Sequence, residues 1–239
     1  VGFRAEGEVR LLGADIGGQL SCIGATLKNP EGRALNADRL KTAGSVFLDN
    51  IHAEGEVRLL GADIGGNLTC TGATFSNPKG EALNADRLKT AGDVFLRDGF
   101  RAEGEVRLLG ADIGGNLECT SATFSNPTGD ALSAEGMRVN GTLFWLLQDK
   151  PQGAVNLAYA RAGQLVDDEK SWPDGGKLFL DGFEYKAFAG EAPQTAVERL
   201  RWLRLQPQKI GRFWPQPYEQ LTKVLHNVGH ESDARIVLI

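Results

Sequence analysis

Ala53-Glu-Gly-Glu-Val-Arg-Leu-Leu-Gly-Ala-Asp-Ile-Gly-Gly66 decides the fold, because the same letters stand at Ala5–Gly18 and again at Ala102–Gly115. The copies begin at residues 5, 53 and 102, a spacing of 48 and then 49 residues. Repetition this strict means one structural unit stacked on copies of itself. The long period divides again: Gly66-Asn-Leu-Thr-Cys-Thr-Gly-Ala-Thr-Phe75 aligns with Gly92-Asp-Val-Phe-Leu-Arg-Asp-Gly-Phe-Arg101. The predicted turns are therefore 18–43, 44–65, 66–91, 92–114, 115–140 and 141–163, alternately long and short.

Inside each turn apolar and polar residues alternate, as in Val57-Arg-Leu59, Leu68-Thr-Cys70 and Val94-Phe-Leu96. That is the period of a strand with one buried face. Stacked turns place Leu20, Val46, Leu68, Val94, Leu117 and Leu143 in one inward column. Cys22, Leu48, Cys70, Leu96, Cys119 and Trp145 fall in the next. Cysteines two turns apart are about 9.6 Å from one another, beyond disulfide reach. In Ala82-Leu-Asn-Ala-Asp-Arg-Leu88 either Leu83 and Ala85 or Ala82 and Asn84 point inward; the first register is favoured, because a buried Asn84 needs full hydrogen bonding. The long turns each carry a Pro-Gly insert, Asn29-Pro-Glu-Gly32, Asn77-Pro-Lys-Gly80 and Asn126-Pro-Thr-Gly129. Such clusters are expected to interrupt the strand and to bulge outward in one row.

Aromatic residues gather late in the chain, at Trp145, Trp172, Phe179, Phe183, Tyr185 and Phe188, as a terminal cap requires. After Pro193 the spacing turns helical: Val197, Leu200 and Leu203, then Tyr218, Leu221, Val224, Leu225 and Val228. Gly229 reads as a helix C-cap, with a return helix from Glu231. The expected organisation is an all-β solenoid, a right-handed parallel β-helix over 1–190, closed by a small helical module over 191–239.

The GEVRLLGADIGGNL and GATF units, Gly175-Gly-Lys-Leu-Phe-Leu-Asp-Gly-Phe-Glu-Tyr185 and the ending Pro215-Gln-Pro-Tyr-Glu-Gln-Leu221 with Gly229-His-Glu-Ser-Asp-Ala-Arg-Ile-Val-Leu238 resemble bacterial pentapeptide-repeat-like β-helix proteins. The resemblance covers almost the whole chain. It implies a protein that, in longer relatives, continues into a membrane span; reduced thiols fit a cytoplasmic location, and the resemblance allows one at the inner face of the membrane in the full-length protein. The opening without Met and the apolar ending Ile236-Val-Leu-Ile239 fit a fragment. Some similar proteins are described as membrane-associated oxidoreductases; that chemistry is not carried over, because no GxGxxG after a strand, P-loop or CxxC stands in this sequence.

The search for chemistry ends without a catalytic, cofactor or metal residue. A net charge of −5 and 41% apolar residues describe a mildly acidic globular chain, and no apolar run is long enough to span a bilayer. His52 replaces Arg4 and Arg101 of the other copies. His226 and His230 have metal-pair spacing but are split by Gly229 and lack a partnering glutamate. Glu8, Glu56 and Glu105, with Asp15, Asp63 and Asp112, form carboxylate columns of the kind that can cleave glycosidic bonds. Each is shadowed by Arg10, Arg58 or Arg107, so a solvated ion-pair ladder is the favoured account.

Residues 1–149 hold 20 acids and 14 bases, and 150–239 hold 11 and 12. That balance is poor for a DNA-mimicking topoisomerase inhibitor, the second functional expectation, and no direct nucleic-acid binding is expected. In the helical module Arg199, Arg201, Arg204, Lys209 and Arg212 interleave with Trp202, Phe213 and Trp214, a mixture suited to phosphates or lipid head groups. The leading expectation is a non-enzymatic scaffold for a protein partner, engaged through Arg10, Arg58, Arg107, Glu8, Glu56 and Glu105 on the rod and Arg201, Arg204 and Trp214 on the cap. A membrane-associated oxidoreductase or a carbohydrate-active enzyme is the third. If the facing is right, Leu68→Ala costs roughly 2–5 kcal/mol in a urea melt and the outward Thr69→Ala is nearly silent.

Overall fold

The computed structural model describes residues 2–208 and 214–237. They form a parallel β-solenoid of about eight turns followed by three short helices. Every turn contributes to three ladders. The first is built from longer strands, among them Thr26–Asn36, His52–Arg58, Thr74–Asn84, Arg101–Arg107 and Thr123–Ser133, all parallel. The second stacks two-residue strands from Asp15–Ile16 through Lys41–Thr42, Asp63–Ile64, Lys89–Thr90 and Asp112–Ile113. The third runs from Leu20–Ser21 through Val46–Phe47, Leu68–Thr69, Val94–Phe95 and Leu117–Glu118. Arg138–Trp145 then crosses both short ladders as a single strand.

The alternation of the sequence becomes the core directly. Val46, Leu68, Val94, Leu117 and Leu143 are buried in the predicted register, and Leu48, Cys70, Leu96 and Cys119 fill the adjoining column. The three thiols are free and buried, each separated from the next by a leucine of the intervening turn. Burial pushes the Cys70 and Cys119 thiols up, so they stay protonated and unreactive. Thr69 is outward as expected, yet its hydroxyl donates to Asp49 Oδ2 at 2.7 Å. Its replacement therefore costs about 1 kcal/mol rather than nothing. Leu83 and Ala85 point into the core, but Ala82 and Asn84 are buried as well. Asn84 tolerates this because its Oδ1 accepts from the Asp86 amide at 3.3 Å.

At one corner the polar residues form a second ladder. Ser45 Oγ accepts from the Asn67 amide, Asn67 Oδ1 from Asp93, Asp93 Oδ1 from Asn116, and Asn116 Oδ1 from Thr142, at 2.6–3.0 Å. Each side chain thus satisfies a backbone donor of the following turn.

The Pro-Gly inserts do not interrupt their strands as expected. Thr26–Asn36, Thr74–Asn84 and Thr123–Ser133 run through them, and the extra residues are absorbed as a bulge. Lys28 faces Glu54 and Arg33 faces Glu56, so residues 29–32 share the space opposite Gly55 alone. Asn29 braces the bulge by donating from Nδ2 to Arg33 O at 2.9 Å, and Asn77 and Asn126 repeat this with Glu81 O and Asp130 O. Gly55 lies beneath it at φ +113°, where a methyl group would be 2.2 Å from Asn29 O and 2.8 Å from Gly32 O. Gly104 and Gly153 repeat the socket at φ +121° and +134°.

The helices α1 (Ala196–Leu203), α2 (Pro215–Asn227) and α3 (Glu231–Val237) close the C-terminal end. A capping box between Thr195 and Glu198 starts α1. Its buried face is Ala196, Arg199, Trp202 and Leu203; the expected Val197 is 63% exposed. Leu221, Val224 and Leu225 pack inward from α2, whereas Val228 is exposed. Gly229 at φ +82° ends α2 in a Schellman motif, with its own amide donating to His226 O and the His230 amide donating to Leu225 O. Side chains of α2 cover the last turn's open backbone: Gln216 Oε1 accepts from the Gly182 amide, and Gln220 Nε2 donates to Tyr185 O at 2.6 Å.

Arg199 corrects the sequence expectation most sharply, being fully buried rather than part of a basic surface. Its Nη1 and Nη2 meet the two oxygens of buried Asp167 at 2.9 and 2.7 Å, and Nε donates to Pro193 O. Trp172 Nε1 donates to the same carboxylate, and the guanidinium lies 3.7 Å from the Phe188 ring centroid. In thermal or urea unfolding, Gly55→Ala and Gly104→Ala each cost more than the roughly 1–3 kcal/mol of positive-φ strain, because the carbonyls above must also move.

Candidate interaction surface

The outer face of the long-strand ladder carries Arg10, Asn36, Arg58, Asn84, Arg107, Ser133 and Asn156 in register. The three arginines occupy identical sequence contexts but different environments. Arg58 reaches Asp38 Oδ2 at 3.0 Å and Glu56 Oε1 at 3.2 Å, with its side chain 16% exposed. Arg107 reaches Asp86 Oδ2 at 2.7 Å and approaches Glu81 and Glu105 at 3.7 and 3.9 Å. The hydrogen bonds to Asp38 and Asp86 raise both guanidinium pKa values. Asp38 and Asp86 also accept from the backbone amides of Leu60 and Leu109. Arg10, in the first turn, is exposed.

The glutamates are drawn into the same lattice. Glu8 accepts from Asn36 Nδ2 at 2.8 Å, and Glu105 from Ser133 Oγ at 2.6 Å. Burial holds the Glu56 carboxyl above its ordinary range, with Arg58 opposing and Glu81 adding to the shift. Glu56, Glu105, Arg58 and Arg107 are thus knitted into the wall and partly buried rather than freely solvated, whereas Glu8, like Arg10, stays exposed. The second ladder presents Asp15, Lys41, Asp63, Lys89, Asp112 and Arg138 in register, alternating in sign.

The third ladder holds a feature that sequence reasoning passed over. Its outward column is Ser21, Phe47, Thr69, Phe95, Glu118 and Phe144. Phe47, Phe95 and Phe144 are half-exposed, one on every second turn, and so about 9.6 Å apart. Arg97 lies over Phe95, its guanidinium carbon 4.3 Å from the ring centroid, and pairs with Glu118 and Asp98. The signal was present: if Val94 and Leu96 point inward, Phe95 between them points out.

The cap residues do not join the rod's columns. Arg201 pairs with Glu169 at 2.6 Å, and Arg204 is exposed. Trp214 lines an apolar hollow of about 200 Å³ with Phe179, Leu180 and Pro207. Trp202 is buried with Arg199, while Lys209, Arg212 and Phe213 lie outside the described residues. A groove of about 270 Å³ between α2 and the last turn is lined by apolar surface from Ala162, Tyr185 and Val224 and rimmed by Arg161, Glu184 and Lys223. His52 meets Glu54 at 3.4 Å and His226 meets Glu231 at 2.9 Å. Among the described residues no group of three or more His, Cys, Asp or Glu is placed to hold a metal ion. No described helix is long and apolar enough to cross a membrane.

The fold and this surface define a parallel β-solenoid repeat protein. No known family, curated protein or solved structure matches the chain. The pentapeptide-repeat-like resemblance consequently rests on the sequence motifs alone. Because Arg58 and Arg107 brace neighbouring turns, Arg58→Ala and Arg107→Ala each cost about 1–3 kcal/mol in urea unfolding. Arg10→Ala, identical in sequence context, stays within about 0.5 kcal/mol.

Proposed function

We propose that this chain is a rigid scaffold that binds a protein partner through the outer face of the third ladder. The observation that carries the proposal is the row Phe47, Phe95 and Phe144, half-exposed at even spacing on a stiff wall. Aromatic side chains supply large contact area at little conformational cost and are enriched in protein interfaces. The wall needs no reorganisation on binding, since its backbone is fixed by the ladders on either side. This places the contact away from Arg58 and Arg107, whose guanidinium groups are engaged within the rod.

The topoisomerase-mimic alternative calls for a concentrated anionic face, and the in-register alternation of Asp15, Lys41, Asp63, Lys89 and Asp112 speaks against it. A carbohydrate-active site would draw on Glu56 or Glu105, which are tied to Arg58 and Ser133 instead.

The test is the triple variant Phe47→Ser, Phe95→Ser, Phe144→Ser in a cross-linking and mass-spectrometry comparison with the wild-type chain. Each replacement costs at most about 1 kcal/mol of stability, so the rod stays folded by circular dichroism. Partners cross-linked to the wild type are lost from the variant, while Arg10→Ala keeps them. Retention of the same partners by the triple variant refutes the proposal.

A further inference from the structure

The second ladder differs from the first in what its charges do. On the first, Arg58 and Arg107 are tied to Asp38 and Asp86 within the rod. On the second, Asp15, Lys41, Asp63, Lys89, Asp112 and Arg138 stand one per turn in a single column, alternating in sign. Among the described residues none of the six makes an ion pair or a side-chain hydrogen bond. All are exposed except Asp112, which is half-buried. The alternation stops where Arg161 follows Arg138, and Arg161 is already paired with Glu184 at 3.3 Å.

The columns on either side leave room for a close neighbour. Two residues after each charge stand Gly17, Ala43, Gly65, Ala91, Gly114 and Asn140, all exposed. Two residues before stand Gly13, Arg39, Gly61, Arg87, Gly110 and Gly136. These stack in the same register, the Arg39 amide donating to Leu60 O and the Gly61 amide to Asp86 O. Arg39 and Arg87 are exposed and have no ion pair among the described residues, and each has glycine above and below it in the stack. The face is thus flat, with one row of unneutralised charge and long corner side chains only on alternate turns.

We infer that this face docks against the same face of a second copy, the two rods running antiparallel about a two-fold axis between the Asp63 and Lys89 turns. That operation sets Asp63 against the partner's Lys89, Lys41 against the partner's Asp112 and Asp15 against the partner's Arg138, so all six charges meet their opposites. Arg39 then faces the partner's Gly110 and Arg87 the partner's Gly61, large against small, while Ala43 meets the partner's Gly114. Other arrangements fail on the same residues. Parallel rods put each charge on its own copy. A slip of one turn sets Asp63 on the partner's Asp63, Lys41 on the partner's Lys89 and Arg39 on the partner's Arg87. The strip is narrow and its attraction is between surface charges, so the dimer is weak and salt-sensitive. It lies on a different wall from the Phe47, Phe95 and Phe144 row, which stays open to another protein.

Sedimentation velocity of the whole chain reads the dimer. At about 0.1 mM protein and low salt the wild type sediments as a mixture of monomer and dimer, and about 0.5 M salt weakens association by about tenfold or more. Asp63→Lys makes both central rungs repulsive, and so does Lys89→Asp. Each variant alone stays monomeric and keeps the wild-type circular dichroism spectrum, because neither side chain has a partner within the rod. Mixed in equal amounts the two variants pair with one another, since every rung between them again joins opposite charges. Ala91→Gln, opposite the partner's Gly65, weakens the wild-type dimer by about tenfold or more without altering a charge. A wild type that stays monomeric at low salt overturns the inference, as do dimers that persist in both single variants or fail to return in the mixture. Dimers abolished by Phe47→Ser, Phe95→Ser, Phe144→Ser but kept by Asp63→Lys move the self-contact to the third ladder and overturn it as well.

Discussion

The structure depends on one constraint: every turn lies flush on the next at the strand spacing of about 4.8 Å. Where backbones of adjacent turns meet most closely, as above Gly55, there is no room for a side chain, and the chain answers this at each level. Inward columns hold aliphatic residues, thiols and the stacked rings of Phe75, Phe100 and Phe124, and the corner column Ser45, Asn67, Asp93 and Asn116 passes a side-chain acceptor to each following amide. Where a long turn carries four more residues than its neighbour has room for, the neighbour supplies Gly55, Gly104 or Gly153. The Asn of each insert spans its own bulge, so the departure from the ladder is itself hydrogen-bonded.

Two kinds of ion pair serve two parts of the molecule. On the rod, Arg58 and Arg107 are partly exposed and bridge consecutive turns, a repeated and moderate contribution. At the cap, Asp167 and Arg199 are withdrawn from water, and the fork geometry, Trp172, Pro193 O and the Phe188 and Trp202 rings offset the loss of hydration. Such a pair does little for stability against an apolar alternative, but it accepts no other partner. It fixes how α1 meets the last turns, where the repeat has faded and packing is aromatic: Phe183, Tyr185, Phe188 and Trp202.

The rod was legible because repetition multiplies evidence. The alternation that placed Leu68 and Cys70 inward was written again at Val94 and Leu96 and at Leu117 and Cys119, and the structure keeps that register. The inserts were misjudged because Pro and Gly signal a broken strand locally, while the ladder on both sides restores pairing past the bulge. Val197 and Arg199 were misassigned for a similar reason. Hydropathy ranks valine inside and arginine outside, and only the distant Asp167 reverses the order. Of the surface, Arg10, Arg58 and Arg107 were found as a column, but their environments were not: identical letters cannot show that one stands at an end and two between walls. The Phe47, Phe95 and Phe144 row was readable from the same alternation that defined the core.

The alternation of bulged and plain turns has a genetic consequence. Displacing the stack by one turn brings bulge onto bulge and glycine onto glycine, whereas displacing it by two restores every neighbour. The smallest segment that unequal recombination can duplicate or delete without penalty is therefore a pair of turns, 48 or 49 residues long, as the spacing of the three copies records. Lineages of such a rod are expected to differ in length by whole pairs, with the helical lid carried unchanged.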